Sequence, residues 1–192
     1  MSSDVFFQLQ EELSPVLRSG DSVRCEQMVA QRLASMPRSP FHIAIDLSID
    51  TSIEGAAAHF DAFFEKESTR YRIGSAYAEM NGFDINPDCW YLNLFAYDRY
   101  SGHDGYDWLS RWQSDDFDAV IITGLEPLQA VFDSDAFSSG EFEEAAYVAG
   151  LLVVTKFQNF VRAAAPQMKR LKFPLLATAH DYDFILEVGR DA

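Results

Sequence analysis

From residue 141 to residue 165 the chain is apolar on almost every side of a helix, through Ala149, Leu152, Val153, Phe157 and Phe160. A helix that is apolar all round has to be surrounded. Whatever fold the chain adopts must therefore place this helix at its centre and lay other elements over it. Ser138 and Glu141 spell a capping box ahead of it, and Pro166 stops it. Its longest apolar run, residues 145–154, is too short to cross a bilayer, which takes about 20 residues.

The rest of the sequence supplies the wrapping. Residues 4–13 predict a short helix with Phe6, Leu9 and Leu13 on one face, interrupted at Ser14-Pro15. Asp21 caps a second helix, striped by Cys25, Val29, Leu33 and Met36 and ended by Pro37 and Pro40. Residues 41–49 alternate: Phe41, Ile43, Ile45, Leu47 and Ile49 face one way, and His42, Ala44, Asp46 and Ser48 the other. That pattern predicts a half-buried strand. Thr51 and Glu54 match a capping box, opening a helix with Ile53, Ala57, Phe60 and Phe64 on its apolar face.

Residues 73–80 and 90–97 read as an antiparallel pair of strands. The stretch between them, from Asn81-Gly82 to Asn86-Pro87, is rich in turn residues. A short helix starting at Asp104 or Gly105 carries Trp108, Leu109 and Trp112. Residues 119–122 predict a short buried strand. Thr123 and Glu126 form a further capping box before a helix through Phe132. Residues 175–188 predict a last strand or hairpin, broken near His180-Asp181. There is no repeat, linker or low-complexity tract. The expectation is one α+β domain over residues 1–192, with helices packed on a mainly antiparallel sheet.

Composition agrees with a folded core. The chain is 48% hydrophobic and 14% aromatic, which is too much buried-type surface for a disordered chain. Charge is the unusual quantity, at −15 overall. Residues 79–144 hold fifteen Asp and Glu against two cations, Arg99 and Arg111. Such a surface argues against nucleic-acid binding, which needs Lys and Arg to neutralise phosphates. The small basic cluster Lys169, Arg170 and Lys172 reads as a solvated helix end or an internal counter-charge. Cys25 and Cys89 form no CxxC pair, and Met1-Ser2-Ser3-Asp4-Val5 lacks a signal-peptide pattern. The expectation is a reduced, cytoplasmic chain with no membrane association.

The densest candidate site is Tyr97, Asp98, Arg99, Tyr100, His103, Asp104, Tyr106, Asp107, Trp108, Arg111 and Trp112. Aromatics beside carboxylates line sugar and cation sites and anchor protein interfaces. The competing account is a loop and short helix whose rings pack inward while Asp and Ser supply turns. Two His-Asp groups, His103-Asp104 with Asp107 and His180-Asp181 with Asp183, hold residue types that bind metals or orient a general base. Neither has the spacing of a metal helix, and no nucleophile elbow accompanies them. Asp133, Asp135 and Glu144 resemble the ends of a calcium loop, but Phe137 and Ser138 occupy positions that need a ligand and a glycine. P-loop and dinucleotide signatures are absent.

The expected function is therefore an acidic binding protein of inhibitor or immunity type that engages a basic protein partner. Its site would be Tyr97, Asp98, Tyr100, His103, Asp104, Tyr106, Asp107, Trp108 and Trp112. The alternative is a small hydrolase or sugar-processing enzyme using His103, Asp104 and Asp107, or His180, Asp181 and Asp183. No metal and no cofactor are expected.

Overall fold

The apolar helix is α6 (Glu143–Ala164), and it is surrounded as its sequence requires. Leu151, Leu152, Val153, Val154, Phe157 and Phe160 are all buried. A computed structural model describes residues 2–83, 86, 88–102 and 105–189, with backbone alone for residues 2–7. Three helices pack on α6: α1 (Ser2–Arg18), α2 (Ser22–Ala34) and α3 (Ile53–Ser68). Pro166 cannot extend the α-helix, and the chain leaves it through the 3-10 turn Ala165–Gln167.

Several local expectations hold. Asp21 caps α2, its side chain accepting from the Arg24 N–H, and Cys25, Val29 and Leu33 are buried along one stripe. Others are overturned by packing. Pro15 lies inside α1 and does not end it. Leu13 and Leu17 on either side of it are buried, and that burial offsets the hydrogen bond the proline cannot make. Residues 41–49 are not a strand. Pro40–Ile45 is a 3-10 turn in which Phe41, His42 and Ala44 are buried, so the three-residue step from Phe41 to Ala44 sets the buried face, not the alternation. The Ser39 N–H donates to His42 Nδ1 at 3.1 Å and fixes the start of that turn.

The cap of α3 is Ser52, one residue later than expected. Its Oγ accepts from the Gly55 N–H. Thr51 Oγ1 is engaged elsewhere, taking the Thr123 N–H at 2.9 Å. Neither later capping box forms. Glu126 accepts from Gly124 at the start of α4 (Glu126–Phe132). Residues 135–138 make the short helix α5 (Asp135–Ser138) ahead of α6.

Among the described residues the sheet has five strands: β1 (Ser75–Asn81), β2 (Tyr91–Tyr97), β3 (Val120–Ile121), β4 (Leu175–Ala179) and β5 (Leu186–Val188). Their order is β3-β2-β1-β4-β5. β1 pairs antiparallel with β2 and parallel with β4, and the remaining pairs are antiparallel. The fold is thus α+β, with helices on a mainly antiparallel sheet. β3 is an edge strand, not a buried one, and Ile121 is 51% exposed. Its outer side is blunted by Thr51, whose hydroxyl donates to the Ile121 carbonyl at 3.3 Å. No described helix is long and apolar enough to cross a membrane.

The two faces of the sheet differ. Ala76, Ala78 and Met80 of β1, Leu92, Leu94 and Ala96 of β2, and Leu175 and Ala177 of β4 belong to the main core with α6. The alternate residues point the other way. There Tyr77, Tyr97 and Leu176 are the buried centre of a second, smaller cluster. Among the described residues no helix layer covers that outer face; a loop covers part of it.

Candidate functional site

The loop over the outer face is the aromatic stretch that the sequence singled out. Tyr97 ends β2 and is buried, its hydroxyl donating to the Leu109 carbonyl at 2.8 Å. Trp108 meets Tyr97 edge-on at 4.9 Å and Tyr100 at 5.8 Å. Its indole N–H donates to the Gly102 carbonyl. Tyr100 reaches across to β5 and donates to Glu187 at 2.5 Å. Tyr106 and Leu109 pack on the same cluster. The 3-10 turn Asp107–Ser110 carries this lid. Tyr97, Tyr100, Tyr106 and Trp108 therefore turn inward onto the sheet. Asp98 and Asp107 lie exposed at the margin. His103 and Asp104 lie outside the described residues, as do Asp84, Ile85 and Pro87 of the expected turn.

After the lid, residues 113–118 cross to α3 and are latched there. Arg70 pairs with the buried Glu67 at 2.6 Å and with Asp115 at 2.9 Å, and donates to the Gln113 carbonyl. Lys66 donates to the Asp116 carbonyl and lies over the Phe117 ring. His59 Nε2 is 2.7 Å from the Asp118 carbonyl oxygen. Part of the acidic segment is thus held by Lys66 of α3 and by Arg70 just after it, next to the lid, since Gln113 also accepts from the Asp98 N–H.

Among the described residues no loop or helix packs over the other half of the outer face, which is therefore the bare half. Strand register builds it row by row. Tyr77 stands opposite Phe95, Glu79 opposite Asn93, and Asn81 opposite Tyr91. Tyr91 in turn stands opposite Ile121 on β3. On the β4 side Glu79 is opposite Thr178. Tyr77 stacks on Phe95 at 5.9 Å, and Phe95 meets Trp112 at 4.9 Å. Trp112 is 50% exposed, so it forms the rim between lid and bare face. Of the expected site residues that are described, Trp112 is the one whose ring opens onto this surface.

Glu79 sits near the middle of the bare face, its side chain 18% exposed. Among the described residues no Lys or Arg lies within ion-pair distance of it. Its neighbours are His180 Nδ1 at 3.2 Å, the Asn81 amide at 3.4 Å and the Tyr77 phenol, which donates to it. His180 Nε2 is 3.6 Å from Asp181, which is itself strongly exposed. The Tyr77 phenol is pushed well up, by burial first and then by the charge of Glu79. Burial raises Tyr97 in the same way, with Glu79 as the second cause. Asp183 lies apart from this trio, lining a cavity of about 1020 Å³ between β5 and the ends of α1 and α6. Among the described residues no three His, Cys, Asp or Glu side chains converge as a metal ion requires.

Glu79, Tyr91, Asn93, Phe95 and Ile121 escape the sequence reading. The signal was present in residues 90–97, where both alternating sets contain large apolar side chains. Such a strand has two occupied faces, but alternation cannot tell which one a loop will cover. Compared with known proteins, the chain matches no family model, no curated protein and no solved structure.

Proposed function

We propose that the chain is an acidic binding protein of inhibitor or immunity type, and that it engages a basic protein partner through the bare half of the outer sheet face. One observation carries this reading. A sheet face that exposes Trp112 and Ile121, with half-buried Tyr91 and Phe95 between them, surrounds the carboxylate of Glu79, which has no Lys or Arg in ion-pair reach among the described residues. Exposed aromatics grouped with apolar neighbours mark protein interfaces. Surface charge of one sign speeds encounter with a partner of the other sign. Cys25 and Cys89 are both free thiols, which supports a reducing, cytoplasmic setting.

The test is capture from native lysate on the immobilised chain, eluted along a salt gradient, with Trp112→Ala and Ile121→Asp in parallel. Both substitutions lie on exposed side chains and leave the core intact. The expected result is a basic protein retained by the wild type, released at moderate salt, and absent from both variants. Retention of no basic protein by the wild type, or equal retention by all three, refutes the reading.

A further inference from the structure

We infer that the bare face holds a seat for one cationic side chain of the partner, with its head group on Glu79 and its stem against Tyr91 and Phe95; this rests on the binding reading above.

The register sets the geometry. Glu79 is opposite Asn93, so Tyr91 and Phe95, two residues either side of Asn93, are its diagonal neighbours on one face. Diagonal neighbours in an antiparallel pair stand about 7–8 Å apart, within reach of aromatic and long side chains. A guanidinium or ammonium group on the Glu79 carboxylate is thereby within reach of the Tyr91 ring and of the Phe95 side that Tyr77 does not stack on, where cation–π attraction acts within about 6 Å. The aliphatic stem of Lys or Arg is apolar and matches the ring surfaces. Asn93 and Asn81 add carbonyl acceptors beside the carboxylate.

Charge argues for the same occupant. Glu79 is mostly screened from water yet lacks a Lys or Arg among the described residues; its one charged-type neighbour is the imidazole of His180 at 3.2 Å. A carboxylate in that position gains more from an incoming cation than a solvated one does, because the surrounding dielectric is lower. The molecule's net charge of −15 attracts such a group and repels an anionic competitor. A planar guanidinium can take the carboxylate through two parallel hydrogen bonds and stack on a ring, so Arg fits better than Lys.

The experiment is a titration of the ¹⁵N-labelled full chain, followed by amide and indole NMR shifts, with N-acetyl-arginine amide as the probe. N-acetyl-lysine amide and the neutral isostere N-acetyl-citrulline amide are run beside it. The arginine probe is expected to shift the amides of Glu79, Asn93 and Tyr91 and the Trp112 indole N–H along one saturable curve, the lysine probe more weakly, and the citrulline probe not at all. Glu79→Gln is expected to weaken arginine binding at least about fivefold, its otherwise unchanged spectrum reporting an intact fold. Asp116→Asn, on the latch to α3, is expected to leave the affinity unchanged. No saturable shift up to about 50 mM of probe, equal affinity in Glu79→Gln, or shifts centred on other carboxylates would each overturn the inference. The two ideas fail separately. Lysate capture that survives Glu79→Gln but not Trp112→Ala removes the seat and keeps the binding reading. A saturable Glu79-dependent shift with no basic protein captured removes the reading and keeps the seat.

Discussion

Gly124 shows how one backbone atom can decide a local structure. It has φ +93°, and a Cβ built there falls 2.2 Å from the Ser48 carbonyl oxygen. Gly140 also has a positive φ, +71°, but nothing lies within 4 Å of its Cβ position. The left-handed conformation alone costs an L-residue about 1–2 kcal/mol. Denaturant melts should therefore show Gly140→Ala losing about 1 kcal/mol, and Gly124→Ala about 3 kcal/mol or more, because backbone must also move. Similar losses at both sites would mean that the 48–50 loop yields easily. Cys25 offers a pH test. Burial, then the charge of Asp21, pushes its thiol up from 9.0 to about 11. The folded chain thus keeps a proton that the unfolded chain releases, so stability should fall as pH rises from about 9 to about 11. At roughly 1.4 kcal/mol per unit the loss approaches 2–3 kcal/mol. Melts of Cys25→Ala should lack the early part of that decline, below the range where the raised tyrosines contribute. A decline of the same size in both proteins would clear Cys25 of the effect.

At the scale of elements, α6 carries two opposite expectations. Leu152→Ala or Phe157→Ala should cost roughly 2–5 kcal/mol, the range for cavities in a packed core. Glu144→Gln should cost a few tenths, since its pair with Arg32 at 3.2 Å is solvent-exposed. Chemical denaturation measures both, and a mild Leu152→Ala would place α6 at a surface. The elements were legible in proportion to how far their own residues decide them. α6 has no polar face to mislead, and Asp21 caps α2 through a bond only three residues long. The strand pair β1–β2 likewise follows from its alternation. Residues 41–49 were misread because Pro40 and the Ser39–His42 contact favour a tight turn, while the apparent alternation counted Ile43, which is 37% exposed. The capping boxes failed for a related reason. Thr51 matches the motif, but its hydroxyl is taken by Thr123, a residue 72 positions away that no local pattern reveals. The site was half legible. The aromatic density of residues 97–112 was evident, yet most of those rings form a lid, and the surface beside it comes from strand register.

For the whole molecule, charge repulsion is the property to test. A net charge of −15 disfavours the compact state through self-repulsion. Salt screens it, with a Debye length falling from about 30 Å at 0.01 M to about 8 Å at 0.15 M. The midpoint of thermal unfolding should rise by a few degrees between those conditions, corresponding to roughly 1 kcal/mol for a chain of this size. Scanning calorimetry in sodium chloride gives the answer, and a midpoint that stays flat or falls would mean that ion pairs such as those of Arg70 with Asp115 and of Arg170 with Glu65 outweigh the surplus.

The order of strands also sets a timetable. β1 lies at the middle of the sheet, yet one of its neighbours, β2, follows within a few residues, while the other, β4, comes far later: Ala76 and its partner Leu175 stand 99 residues apart. During synthesis at about 5–20 residues per second, β1 waits roughly 5–20 seconds for that neighbour to emerge. Through that interval one side of Ala76, Ala78 and Met80 has a free row of N–H and C=O groups, the kind of edge that recruits other chains. α6 is made just before β4 and packs on the same face. The middle of the sheet is therefore closed only once α6 and β4 have left the ribosome, and a newborn chain stays open at its centre for as long as the residues between Ala76 and Leu175 take to make.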